Sequence, residues 1–158
     1  MKKRGITLIA LVIIIITVGI LTAVITIDSD NTIKETKARI FATEVKQLEY
    51  LIKTYKERNN NSLDFTPQVL NVSSLQSGLV SELMEQGETI VDNNVTLYKI
   101  DYVKIDATSS EYGLQTEGTD DIYLVSNETG NVYYLKGFEF NDNVYYTLKS
   151  ELSELIGE

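Results

Sequence analysis

The chain has no cysteine, no histidine and no tryptophan, and a single proline, Pro67, in 158 residues. Without histidine and cysteine, the commonest zinc ligands, the thiol nucleophile and every Ser-His-Asp or Cys-His arrangement are excluded. Disulfides are excluded too, so an exported domain of roughly 100 residues has to be held by its core alone. One proline and scattered glycines leave no Pro-rich or Gly/Ser-rich linker, and we expect one globular domain on one long stem. Basic charge is also scarce: 14 Lys and Arg stand against 23 Asp and Glu, a net charge of −9. From Asp28 onward all 23 acids face only 11 basic residues, a net charge of −12. Such a surface repels phosphate backbones and no basic patch offsets it, so no nucleic-acid partner is expected. An acidic chain supplies many carboxylate pairs, yet no spacing singles one out for hydrolysis. We therefore expect no enzyme, no catalytic residue, no metal site and no cofactor.

What is present begins at the amino terminus. Lys2, Lys3, Arg4 and Gly5 precede Ile6 to Ile27, twenty-two residues without a charge, of which seventeen are apolar and the rest are four Thr and Gly19. A helix of that length crosses the hydrocarbon core of a bilayer. Lys2, Lys3 and Arg4 lie before the span, and Asp28, Asp30 and Asn31 follow it. The positive-inside rule then puts the amino terminus in the cytoplasm and everything from Asp28 onward outside, on a single pass through membrane lipid. An ordinary signal anchor, or a secretory signal peptide cut near Leu21-Thr22-Ala23, is the open alternative, although a secretory apolar region is usually shorter.

Beyond the span the spacing predicts a helix that continues over residues 28–58. Ala38, Phe41, Val45, Leu48, Ile52 and Tyr55 recur three or four residues apart, with Lys37, Arg39, Glu44, Lys46, Glu49, Lys53, Lys56 and Glu57 between them. Asn59-Asn60-Asn61-Ser62 ends it. Residues 6–58 as one rod measure about 80 Å. A dimeric coiled coil is one use for the striped half; the other, which we favour, seats Phe41, Val45, Leu48, Ile52 and Tyr55 on an antiparallel sheet that buries one face.

Residues 59–158 read as an α+β head. Phe65-Thr66-Pro67 is expected to be a turn or helix start, and Ser74 to cap a short helix from Leu75 to about Gln86 that Gly87 stops. A strand begins near Val95, with Tyr98, Ile100 and Tyr102 on one face and Leu97, Lys99 and Asp101 on the other. A loop follows over residues 108–120. Ile122–Val125 and Val132–Leu135 form a hairpin, and Phe138–Phe140 and Val144–Thr147 a second one turned by Asn141-Asp142-Asn143. A short helix, 149–156, closes the chain.

Some features invite sharper readings. Glu117, Asp120 and Asp121 lie in or beside a loop, but they lack EF-hand spacing and read as a solvated acidic loop. Ten tyrosines, Tyr133, Tyr134, Tyr145 and Tyr146 among them, can make an adhesive patch. Neighbours in a strand point to opposite faces, so at least half are expected in the core. Asn71, Asn94 and Asn127 match glycosylation sequons.

The run Lys-Arg-Gly-Ile-Thr-Leu-Ile-Ala-Leu-Val-Ile, from Lys3 to Ile13, resembles the class III signal of type IV prepilins and pseudopilins. The resemblance implies a leader of residues 1–5, cleavage between Gly5 and Ile6 by a prepilin peptidase, and N-methylation of Ile6. It implies a transmembrane and later filament-core helix over 6–27, with Ile6, Leu8, Ile9, Ala10, Leu11, Val12, Ile13 and Gly19 in that core, continuing over 28–58 into a pilin-like head at 59–158. Its implied partners are the peptidase, other pilin subunits, and the membrane protein and ATPase of an assembly system. The Asp121–Val125 and Thr129–Tyr134 segments also resemble a hairpin of pilin-like proteins from Gram-positive bacteria. This sequence departs from the family's pattern at Ile6, where Phe or Met is usual, and at Ala10, where Glu is usual. That glutamate is held to neutralise a neighbouring subunit's terminal amine, an interaction of weight because an unpaired charge in hydrocarbon costs several kcal/mol. Its absence implies a minor subunit of a pilus or secretion pseudopilus, with a subclass that assembles without it left open. The late helix-breaking proline common in the family is missing as well, and Gly19 is the only weak point. The alternative is a single-pass anchored extracellular binding domain that never polymerises.

Overall fold

The structure, a computed structural model, describes the backbone of residues 3–107 and 123–157 and the side chains of residues 31–107 and 123–157. It is a mixture of helix and antiparallel sheet. The elements are α1 (Lys3–Arg58), β1 (Thr66–Asn71), a 3-10 turn (Val72–Ser74), α2 (Ser77–Glu85), β2 (Ile90–Val91), β3 (Asn94–Lys99), β4 (Tyr123–Val125), β5 (Val132–Tyr134), β6 (Phe138–Phe140), β7 (Asn143–Tyr145) and α3 (Ser150–Leu155). The chain divides into two units, residues 1–36 and 37–158. The second unit holds the sheet and begins inside α1, so residues 37–58 share their core with the head.

All strand pairs are antiparallel, in the order β1-β3-β4-β5. β2 pairs with the first residues of β3 (Val91 opposite Asn94), while β4 pairs with its last (Lys99 opposite Leu124). β6 and β7 form a separate pair, and the Tyr134 N–H donates to the Tyr146 carbonyl at 2.6 Å, tying the segment after β7 to β5.

Alternation along β4 and β5 places the two halves of the core. Tyr123, Val125, Val132 and Tyr134 face α1, where they meet Phe41, Val45, Leu48 and Ile52; Leu124 and Tyr133 face the other way, toward Leu79 and Leu83 of α2. Both faces of these strands are therefore covered, which corrects the expectation of a sheet buried on one face. Tyr133, Tyr134, Tyr145 and Tyr146 are all buried, so none of the four contributes to a surface patch.

Local chemistry explains the other departures. Thr66 and Pro67 open β1 instead of a turn or helix, a place open to proline because β1 is an edge strand whose hydrogen bonding faces β3. α2 starts at Ser77 after Gln76, without a side-chain cap, because the Ser74 hydroxyl is committed to the Asn71 carbonyl at 2.7 Å. β3 ends at Lys99, and Tyr102 sits in the following turn rather than beside Tyr98 on a strand. Asp92-Asn93 and Asn141-Asp142 each have two consecutive residues at positive φ, the signature of two-residue hairpin turns with the twist of their strands. The second turn is thus one residue shorter than expected, and Asn143 pairs with Phe140. Residues 108–120, with Glu117 and Asp120, and Asp121 lie outside the described residues.

Candidate functional site

From residue 37 to residue 58, α1 presents three faces of different chemistry. The buried face carries Ala38, Phe41, Val45, Leu48 and Ile52, each 0% exposed. Phe41 stacks on Phe138 with ring centroids 4.9 Å apart and lies 5.7 Å from Tyr134. Tyr55, half-buried, stacks on Phe65 at 5.2 Å. Burying a large side chain here contributes about 1.5–3 kcal/mol, so this face is the main attachment of helix to head.

At the two edges of that face, polar groups fix the register. Glu44 accepts from the Tyr123 hydroxyl at 2.9 Å, Glu49 accepts from the Val132 N–H at 3.2 Å, and the Lys56 ammonium donates to the Asn127 carbonyl at 2.7 Å. The Asn127 side-chain oxygen accepts in turn from the Leu63 N–H at 3.0 Å. Burial pushes the Glu49 carboxyl up from its ordinary 4.5, partly opposed by the Val132 hydrogen bond. Burial and then the Glu44 charge drive the Tyr123 phenol far above its usual range.

Two further carboxylates act on the α2 side. Glu88 accepts from the hydroxyls of Ser126, Thr129 and Tyr133 at 2.6, 2.6 and 2.7 Å. Glu82, 3% exposed, meets the Lys149 ammonium at 2.6 Å and joins α2 to the start of α3. That contact leads the causes that raise the Lys149 pKa above 10.5. Among the described residues, no buried side-chain nitrogen or oxygen lacks a partner, and no group of three acidic side chains is placed to hold a metal. The buried carboxylates are occupied by the protein's own hydroxyls, amides and amines. Sequon residues Asn71 and Asn127 are likewise engaged, in turn and loop hydrogen bonds.

The third face of α1 is exposed and carries no charge. Ile40, Thr43, Gln47 and Tyr50 follow one another three or four residues apart, with Ile40 at 44% and Tyr50 at 69% exposure. The Thr43 hydroxyl turns back to the Arg39 carbonyl at 2.7 Å, which satisfies it within the helix. With Lys46, Leu51 and Ile156, the last three of these residues border a groove of about 560 Å³. A second groove, about 460 Å³, separates Glu49, Lys53, Lys56 and Glu57 from Thr129–Asn131.

Comparison with known protein families, with curated proteins and with solved structures finds no match. The site has to be read from its own residues. Lys3, Arg4, Gly5, Ile6, Leu8, Ile9, Ala10, Leu11, Val12, Ile13 and Gly19 belong to α1, but their side chains, like Lys2 altogether, lie outside the described residues. Among the described residues no helix is long and apolar enough to cross a membrane, and the side chains of Ile6–Ile27 fall outside them. Phe41, Val45, Leu48 and Ile52 come together against β4 and β5, with Tyr55 at the edge. Sequence reasoning missed the uncharged outer stripe, which a helical wheel of residues 37–58 displays, and the roles of Glu82 and Glu88, whose partners are distant in sequence.

Proposed function

We propose that this chain is a structural subunit, of the minor kind, of a type IV pilus or a type II secretion-like pseudopilus. A prepilin peptidase cuts it between Gly5 and Ile6 and it enters the filament through its amino-terminal helix. The observation that carries this reading is the sequence from Lys2 to Ile27: a basic leader ending in glycine, then twenty-two residues without a charge. Support comes from α1 itself, which contains that run and, after residue 37, a buried face seated on an antiparallel sheet.

The mechanism is physical and needs no catalytic group. Ile6–Ile27 is stable among acyl chains and comparably stable against copies of itself, so assembly exchanges lipid contacts for helix contacts when an ATP-driven motor supplies work. Contacts that do not close on themselves continue as a helical filament. Ala10 offers no carboxylate to a neighbour's terminal amine, which suits a subunit present in few copies.

The test is the mass of the chain recovered from membranes of cells with an active prepilin peptidase. The expected polypeptide begins at N-methyl Ile6 and is present in sheared surface fibres. A chain retaining Met1 and absent from fibres overturns the proposal in favour of an anchored binding domain.

A further inference from the structure

β1 lies at an edge of the sheet and pairs with β3 alone. One bond fixes which of its backbone groups point away from β3. The Val72 N–H donates to the Asn93 carbonyl at 2.9 Å, immediately beyond the Asn71–Asn94 pair. Along an antiparallel ladder, pairs that exchange hydrogen bonds alternate with pairs whose N–H and C=O groups face outward. Leu70–Val95, Gln68–Leu97 and Thr66–Lys99 are therefore the bonded pairs, and Pro67, Val69 and Asn71 turn their backbone to the open edge. Two further facts agree. Pro67, which has no N–H, falls at an outward place, and the Asn71 carbonyl accepts from the Ser74 hydroxyl at 2.7 Å instead of from β3.

The open edge thus offers the Pro67 carbonyl, the N–H and carbonyl of Val69, and the Asn71 N–H. Among the described residues none of these groups has a partner. Exposed edges are commonly guarded by charge, yet β1 carries no charged side chain. Val69, 67% exposed, shares its face with Pro67, Asn71 and, across the pair, Thr96.

We infer that β1 accepts, as an added strand running parallel to it, an extended uncharged segment of another protein. The outward groups select the direction. In a parallel pair the first contacting residue of the segment donates to the Pro67 carbonyl and accepts from the Val69 N–H; the residue two further on donates to the Val69 carbonyl and accepts from the Asn71 N–H. Nothing is left unpaired. An antiparallel segment instead sets one of its carbonyls against the missing Pro67 N–H, and one of its N–H groups against the Asn71 carbonyl that Ser74 already occupies. The residue between the two contacting ones lies beside Val69 and is apolar, because a charge there meets no counter-ion on β1. A second copy fits less well. In parallel, its own β1 presents either the missing Pro67 N–H or the occupied Asn71 carbonyl. In antiparallel the two strands match, but the α1 segments packed on the two sheets then run in opposite directions. Copies anchored by that helix in one membrane run the same way, an exclusion that rests on the proposed function.

Amide hydrogen exchange, read by NMR on the full-length chain in detergent micelles, tests the inference with the capped peptide acetyl-Thr-Thr-Thr-Val-Thr-Thr-Thr-amide. In the free chain the Val69 and Asn71 amides exchange with solvent much faster than the Leu70 amide, which is bonded to β3. Peptide at about 5 mM slows both roughly ten-fold and leaves Leu70 unchanged. N-methylation of the two threonines beside the valine removes the effect, whereas N-methylation of the valine itself does not, since its N–H points away from β1. Val69→Lys, at an exposed position, keeps the fold and weakens the effect roughly ten-fold. A Val69 amide already protected in the dilute free chain, or no slowing with peptide, overturns the inference. The opposite N-methylation pattern overturns its direction, and protection that grows with protein concentration alone makes a second copy the occupant and overturns it as well. None of these readings depends on the mature amino terminus, so this inference and processing at Gly5 can each fail alone.

Discussion

Replacing Glu88 by Leu removes the one acceptor shared by three hydroxyls, and the consequences differ among them. Thr129 is exposed and water takes over its hydrogen bond, whereas Ser126 and Tyr133 are 1% and 0% exposed and have no such recourse. A stranded buried hydroxyl costs about 1–3 kcal/mol, so the pair costs about 2–6 kcal/mol. Relief from holding a carboxylate in the interior, and the apolar surface of the new leucine, offset about 1–2 kcal/mol of this. The expected net loss lies within about 0–5 kcal/mol, centred on about 2.5 kcal/mol, read from denaturant unfolding followed by tyrosine fluorescence, which no tryptophan obscures. The decisive comparison is a double-mutant cycle with Tyr133→Phe. In that background no phenol is stranded, and Glu88→Leu costs about 1–2 kcal/mol less than in the wild type. Additivity of the two substitutions within about 0.3 kcal/mol refutes the reasoning, because it means that the 2.7 Å contact carries no coupling.

Phe41→Ala opens a cavity between α1, Tyr134 and Phe138 and lowers stability by about 3–5 kcal/mol, while Tyr50→Ala on the exposed face changes it by less than about 0.5 kcal/mol in the same unfolding assay. At Gly137, φ is +78° and an added Cβ meets a Val144 methyl at 2.5 Å, so Gly137→Ala costs about 2–4 kcal/mol. At Gly130, φ is +82° but nothing lies within 4 Å, and Gly130→Ala costs only about 1–2 kcal/mol; equal losses at the two sites contradict the packing argument. Stability falls on the alkaline side. Lys149 keeps its proton above 10.5 in the folded chain, so its contribution is complete below pH 10.5 and is lost as pH climbs through the folded value. Tyr123 and Tyr133, raised from 10.0, begin the same decline near pH 10.0; Lys149→Met flattens the lysine part of the pH–stability curve and leaves theirs.

The buried stripe of α1 was readable because a helix that lies on a sheet needs apolar residues every three or four positions, and Phe41 to Ile52 supply them without interruption. The β4–β5 hairpin was readable for a similar reason: Tyr123–Val125 and Val132–Tyr134 are almost wholly β-branched, aromatic or leucine. β1 was not, since Thr-Pro-Gln-Val-Leu-Asn has no clean alternation and becomes a strand through its six-residue pairing with β3. Nor was the second covering of the sheet. Tyr133 and Tyr134 announce opposite directions, but that both directions are interior depends on α2 folding across the far face. The candidate site divides along the same line. Periodicity exposes a helix face, whereas a carboxylate such as Glu88, 45 residues from Tyr133, gives no local sign of its hydroxyl partners.

The attachments of α1 residues 37–58 set how a pull on the helix is carried into the sheet. Glu44–Tyr123, Glu49–Val132 and Lys56–Asn127 join the helix to β4, β5 and the loop between them across 79, 83 and 71 residues of sequence. A pull along α1 therefore reaches β4 and β5 directly, without passing through the turns at 59–62 or the opposite edge strand β1. These two strands are also covered on both faces, so they separate from α1 only by exposing Phe41, Tyr123 and Tyr134 together. A helix seated on β1 alone would peel away one pair at a time. Seating it on β4 and β5 makes detachment a single cooperative event.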